Sequence, residues 1–266
     1  MKGPLGGGPG EPPHDTASFL EGLRSIRRFD DRDVPDEVVR RAIEIGQRAP
    51  SASNHQPYSV IVVKDRGLRH ELETTLRVQR FVEDAPVFLV VCVDWSRQDA
   101  VALEVGGPTQ MNQLSRLVIG MTDCSIFAHH LTLALMAFGL GVCFVANPVL
   151  ALDETARILS LPKISCVPLH VVVAGYPAED PPLRPRYPTD LVVFEDRGWH
   201  PPDVDAVRDY LRRGDERLRE ESYFEVTGDD VGTWYEHYAV KYGDRALNRT
   251  WAPLASQILG FLDPHA

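Results

Sequence analysis

Cysteine is scarce in this chain, and what there is forms no pattern. Cys92, Cys124, Cys143 and Cys166 lie far apart in apolar stretches with no C-x-x-C pair, so they read as small buried hydrophobes and not as a disulfide framework. Positive charge is also short: 28 Lys and Arg against 38 Asp and Glu leave a formal net charge of -10. That balance excludes nucleic-acid binding by phosphate neutralisation and disfavours an anionic membrane surface. An anionic ligand must then be held by a few local arginines. Residues 1–13 are rich in Gly and Pro and lack an apolar run, which predicts no secretory signal and a reducing, cytoplasmic setting. Residues 131–152 are the one stretch apolar enough to suggest a membrane span, but Gly139, Gly141, Asn147 and Pro148 interrupt it; a buried helix followed by a buried strand fits better.

The common catalytic signatures are missing as well. There is no H-E-x-x-H, no G-x-S-x-G, no G-x-x-x-x-G-K-[ST], and no G-x-G-x-x-G between a strand and a helix. His129 and His130 are adjacent, so on a helix they diverge by about 100° and make a poor metal pair. No metal site is expected. No two carboxylates stand out as an acid and a base. An enzyme of this composition needs a cofactor to carry the chemistry, with no catalytic side chain of its own.

Hydrophobic residues at 44% and charged residues at 25% are the balance of a globular protein. Apolar spacing predicts a helix from Asp15 or Thr16 to about Ile26, delivering Arg24 to Arg28 at its end. A second helix starts after Pro35 and stops before Pro50. Short β-branched runs at residues 58–63, 87–93, 142–145, 167–174 and 191–194 read as strands. Helices are expected near residues 68–77, over 111–138, over 153–159 and over 203–221, with an aromatic-rich helical segment at 234–262. Strands interleaved with helices predict an α/β or α+β layered fold, with helices covering a central sheet. Residues 1–15 read as a disordered leader, and 16–266 as a single domain. The apolar face of the last segment, with Tyr235, Tyr238, Leu254, Ile258 and Phe261, lacks nearby strands to cover it; a second subunit would do so.

Three polar islands stand out against this background: Arg24-Ser25-x-Arg27, Pro50-Ser51-x-Ser53-Asn54-x-Gln56, and Arg184-Pro185-Arg186. Singly they read as a solvated helix end, a loop and a turn. Jointly they supply guanidinium groups for a phosphate dianion, and hydroxyl and amide donors for the edge of a flavin ring.

The order R-S-I-R-R-F, V-P, A-P-S-A-S-N-H-Q-P-Y, then Gln79 in R-V-Q-R-F, G-L-G-V at residues 139–142 and G-Y-P-A-E-D-P-P-L-R-P-R-Y-P at 175–188 resembles the nitroreductase superfamily. Within it, the chain is similar to the NADPH-dependent flavin reductases and oxygen-insensitive nitroreductases. The resemblance implies an α+β fold, a mixed central sheet covered by helices, in an intertwined homodimer with FMN at each subunit interface. By it, Arg24, Ser25, Ile26 and Arg27, with Arg184 and Arg186, hold the phosphate and ribityl chain. Pro50, Ser51, Ser53 and Asn54 come from the partner subunit, Gln79 addresses the flavin ring, and Val145, Ala146 and Asn147 lie near flavin N5.

The function implied is ping-pong hydride transfer from NADH or NADPH to a small-molecule acceptor such as a nitroaromatic, quinone or flavin. Two departures matter. Ala146-Asn147 stands where that subgroup often has Gly-Gly. Residues 222–234, matching the segment whose arginines grip the 2′-phosphate, contain Glu225, Asp229 and Asp230 and no Lys or Arg. A dehydrogenase or oxidase in a specialised pathway is the alternative, and a non-catalytic flavin-binding protein a further one; the gathering of four arginines argues against the last.

Overall fold

The computed structural model describes residues 16–76, 81–106, 113–145, 148–162, 165–220, 232–234 and 236. These fall into two compact units, one holding the described residues up to Asp180 and the other beginning at Pro181. The leader, Gln79, Ala146, Asn147 and most of residues 222–262 lie outside the described residues.

The first unit is built on a four-stranded sheet of order β1-β2-β4-β3, with β1 at Tyr58–Val62, β2 at Val87–Asp94, β3 at Gly141–Val145 and β4 at Cys166–Gly175. Every strand pair is antiparallel. The parallel component of the mixed sheet is a single bridge, Ser25 to Val142, on the outer edge of β3. All positions of β2 and β4 are buried, which is why their sequences are near-continuous β-branched runs without alternation. A break in register between Val91 and Cys92 marks a bulge in the β2–β4 ladder.

Helices cover both faces of the sheet, making the fold α+β. On one side, α2 (Asp36–Gly46) and the long α6 (Gln113–Ala137) pack with Leu89, Val91, Val172 and Ala174 around Phe127, Leu131 and Leu135. On the other, α3 (Arg66–Leu76) contributes Leu72 and α7 (Leu152–Ile158) contributes Ile158 to Phe88, Val90, Val171 and Val173. The other α-helices among the described residues are α1 (Thr16–Glu21), α4 (Phe81–Asp84), α5 (Ser96–Glu104) and, in the second unit, α8 (Val204–Glu220). Over Leu114–Ala137, α6 is long and apolar enough to cross a membrane. Its Cys124, Phe127, Ala128, Leu131 and Leu135 are instead completely buried in the sheet-side core, which accounts for that apolarity.

Three expectations need correction. The first helix ends at Glu21 and does not reach Ile26; residues 24–28 run extended because they add to the edge of β3 and gain its hydrogen bonds. Residues 191–194 form no strand: a 3₁₀ turn at Thr189–Leu191 leads into them, and Val192 and Val193 are exposed, with no strand among the described residues pairing with them. α5 has no counterpart in the sequence reading, since it buries no residue and so carries no apolar stripe.

Candidate active site

The arginine segment is held by β3 and by the chain that follows β4. Ile26 donates its amide to the Val142 carbonyl at 3.0 Å, and Ile26 is buried while Ser25 is exposed. Farther along, Asp30 donates to Tyr176 O and Ala178 donates to Arg28 O, both at 2.9 Å, so the segment is paired with the chain leaving β4. Glu179 closes this pairing by accepting from the amides of Arg27 and Arg28. Asp180 pairs with the Arg24 guanidinium at 3.0 Å, and the Arg32 guanidinium lies 4.0 Å over the Tyr176 ring. Arg24, Ser25 and Arg27 thus sit on a fixed backbone next to the strand that runs to Val145. Glu179 and Asp180 belong to the quoted G-Y-P-A-E-D motif, yet their part in fixing the arginines was not legible there.

The second island is a turn of unusual backbone. It follows α2 and contains a 3₁₀ element at Ala52–Asn54. Ser53, Asn54 and Gln56 all take positive φ, at 49°, 57° and 51°. Each such non-glycine residue costs about 1 kcal/mol or more and persists only when its surroundings over-determine it. The surroundings do so here. The buried Asp123 of α6 accepts from Ser51 Oγ at 2.9 Å and from the Ala52 amide at 3.0 Å. Ser51 Oγ accepts from the Gln56 amide at 2.8 Å. Arg97 of α5 donates to the carbonyls of Gln56 and Tyr58, and Gln98 to that of His55. Pro50, Ser53 and Asn54 remain exposed.

Asp94 braces the exit from this turn. It accepts from Ser59 Oγ at 2.5 Å and from the Ser96 amide at 2.9 Å, and pairs with Arg97 at 3.4 Å. Burial alone would raise its pKa, but the hydrogen bonds from Ser59 and Ser96 and the Arg97 charge outweigh it and keep the carboxyl below its ordinary value. Asp123, Arg97 and Gln98 carried no sequence motif. The one available signal was Asp123 as a lone acid inside an apolar helix.

Below the β3 edge, His170 of β4 sits 3.0 Å through Nε2 from Ser125 Oγ on α6, and the half-exposed Phe144 ring lies 4.5 Å from its imidazole. Burial drops the His170 pKa to about 4, so the ring is neutral near pH 7. None of the four cysteines is in a disulfide, and all are buried. Burial pushes the Cys124 thiol up, and contact with Cys166 together with burial does the same for Cys92. Cys92 and Cys124 are therefore protonated packing residues and not nucleophiles. Among the described residues no group of three or more His, Cys, Asp or Glu could hold a metal.

Arg184 and Arg186 lie in the second unit. Arg186 donates to the carbonyls of Arg184 and Pro185 at 3.2 and 3.1 Å, and the Tyr187 and Tyr210 rings stack at 4.0 Å to pin this turn on α8. The structure therefore joins Arg24, Ser25, Ile26 and Arg27 to Val145 through β3. It ties Pro50, Ser51, Ser53 and Asn54 to α6, and Arg184 and Arg186 to α8. Gln79, Ala146 and Asn147 are outside the described residues.

Comparison with known proteins identifies the family. The profile of the Nitroreductase family matches residues 20–176, from just before the arginine segment to the end of β4 and its following tyrosine. An oxygen-insensitive NADPH nitroreductase of Salmonella typhimurium is 32% identical over 225 residues, covering 84% of this chain and 88% of the relative. An FMN reductase [NAD(P)H] of Bacillus subtilis is 29% identical over 236 residues, covering 86% and 91%. The solved structure of B. megaterium NfrA2 superposes with a TM-score of 0.79 at 26% identity, over 91% of this chain and 96% of that one. The chain belongs to the nitroreductase family.

Proposed function

We propose that this protein is an FMN-dependent oxidoreductase that takes hydride from a reduced pyridine nucleotide and reduces a nitroaromatic, quinone or flavin by a ping-pong mechanism. One observation carries the reading: the parallel bridge of Ser25 to Val142 puts the phosphate-type donors of Arg24, Ser25 and Arg27 on the same sheet edge that ends at Val145. A ligand with an anionic tail and a planar redox head matches that layout. When bound, FMN supplies a two-electron carrier at N5.

The chain's own residues do the rest. Arg24 and Arg27, with Arg184 and Arg186, neutralise the phosphate, and Ser25 and the Ile26 backbone contact the ribityl chain. Gln79 addresses the ring, and Val145, Ala146 and Asn147 line the N5 side. Pro50, Ser51, Ser53 and Asn54 face the flavin of a partner subunit, in keeping with the exposure of Pro50, Ser53 and Asn54 in a single chain. Residues 16–266 act as one FMN-binding domain, whose carboxy-terminal helical segment serves a homodimer. The protein works on small molecules in the cytoplasm. The relatives' names, nitroreductase and FMN reductase, support the reductase over the oxidase alternative. Chromatography of the flavin released on denaturation tests the assignment: FMN is expected, and FAD, or no flavin after reconstitution with excess FMN, overturns it.

A further inference from the structure

We infer that Asp123 is a positioning residue for the cofactor, holding the turn of residues 51–56 in its left-handed form before any flavin arrives. The inference rests on the reading that this turn faces FMN. Asp123 is only 3% exposed and sits on α6 beside the fully buried Cys124 and Phe127. A carboxylate in such surroundings is costly unless hydrogen-bonded, and both donors it receives come from one place, Ser51 Oγ and the Ala52 amide. Because Ser51 Oγ also accepts the Gln56 amide, a continuous relay runs from Gln56 through Ser51 to Asp123. It clamps both ends of the turn.

Between the clamped ends lie Ser53 and Asn54, both exposed and both left-handed. Other hydrogen bonds of the turn are local, among them Asn54 to Ser51 O and His55 to Ala52 O, each at 3.0 Å, and Gln56 Nε2 to Asn54 Oδ1 at 3.1 Å. Local bonds set the curl of the turn but not its orientation on the protein. Arg97 and Gln98 hold only the exit, at His55, Gln56 and Tyr58. Asp123 fixes the entry, and through it the direction in which Ser53 and Asn54 point.

The test uses the full chain with and without FMN, comparing Asp123→Ala, Asp123→Asn, Ser51→Ala and Asn54→Ala. Flavin fluorescence gives the FMN Kd, and hydrogen exchange on flavin-free protein reads the Ala52 and Gln56 amides. Asp123→Ala is expected to raise Kd at least tenfold and to speed exchange at Ala52 and Gln56 at least tenfold. Asp123→Asn keeps a carbonyl acceptor and should recover most of both, which a general loss of folding would not allow. Ser51→Ala shares the relay and should move both readouts in the same direction, so the idea stays testable if Asp123→Ala does not fold. Asn54→Ala should raise Kd while leaving Ala52 exchange unchanged. If Asn54→Ala weakens FMN but Asp123 and Ser51 variants do not, the positioning role is overturned and the functional reading stands. If Asn54→Ala leaves FMN binding intact, the placement of the turn against flavin fails, and the inference with it.

Discussion

Ile26 packs on Gly141 so closely that a β-carbon at Gly141 would stand 2.7 Å from Ile26 Cβ and Cγ2. The contact seats the arginine segment against β3, and only glycine permits it. Gly141→Ala must therefore push residues 24–28 off the strand edge, at a cost of about 1 to 3 kcal/mol for overpacking. Urea denaturation of the flavin-free protein should show this loss, and FMN affinity should fall in parallel. Wild-type stability with unchanged affinity would mean that the segment is not seated there in solution.

Arg27→Ala and Arg186→Ala should each weaken FMN binding by about 1.5 to 3 kcal/mol, the range for charge-assisted hydrogen bonds to an anion. The cleanest comparison is FMN against riboflavin: the loss should be large for the phosphorylated ligand and nearly absent for the other. Equal losses for both would place these arginines away from the phosphate.

His170 makes a pH prediction with a definite sign. Its folded pKa is lowered by burial to about 4 from an ordinary value of 6.5, so the unfolded chain binds the proton more readily. The neutral ring's contribution is fully present above pH 6.5 and is lost progressively as the pH falls towards 4, by about 3 kcal/mol in all. His170→Gln, which can still meet Ser125 but does not titrate, should flatten stability across that window. An unchanged acid slope would assign the transition to other groups.

Much of this was legible in the sequence. The buried strands declared themselves because residues such as Val90, Val91, Val171 and Val172 are buried between two helical layers, and such strands need no alternation. The arginine segment was found as an island but given the wrong backbone. Phe19, Leu20, Leu23 and Ile26 do fit a helical period, and only the long-range pairing with Val142 overrides it. Asp123 stood out only as a lone acid in an apolar helix; its role lies in contact with Ser51, 72 residues away, which no local pattern reports. The α5 helix escaped because it has no buried face. The motif residues were recoverable since their chemistry is local, whereas the residues that orient them act across the fold.

Nucleotide choice follows from charge. Residues 222–234 hold Glu225, Asp229 and Asp230 without a Lys or Arg, and a 2′-phosphate brings nearly two negative charges. Even about 1.4 kcal/mol of repulsion is a tenfold preference. NADH should therefore be used at least as well as NADPH. Measuring kcat/KM for both at low and moderate salt checks this; a strong NADPH preference that fades as salt rises would reveal compensating arginines, with Arg212, Arg213, Arg217 and Arg219 the candidates.

The most direct test of the proposed activity is anaerobic stopped-flow mixing of the FMN-loaded protein with NADH and, separately, with NADPH. The flavin absorbance is expected to bleach in a single exponential phase with at least one nucleotide, and to return when a quinone or nitroaromatic is added after the oxidised nucleotide has been removed. A flavin that stays oxidised with both nucleotides at saturating concentration would contradict the account.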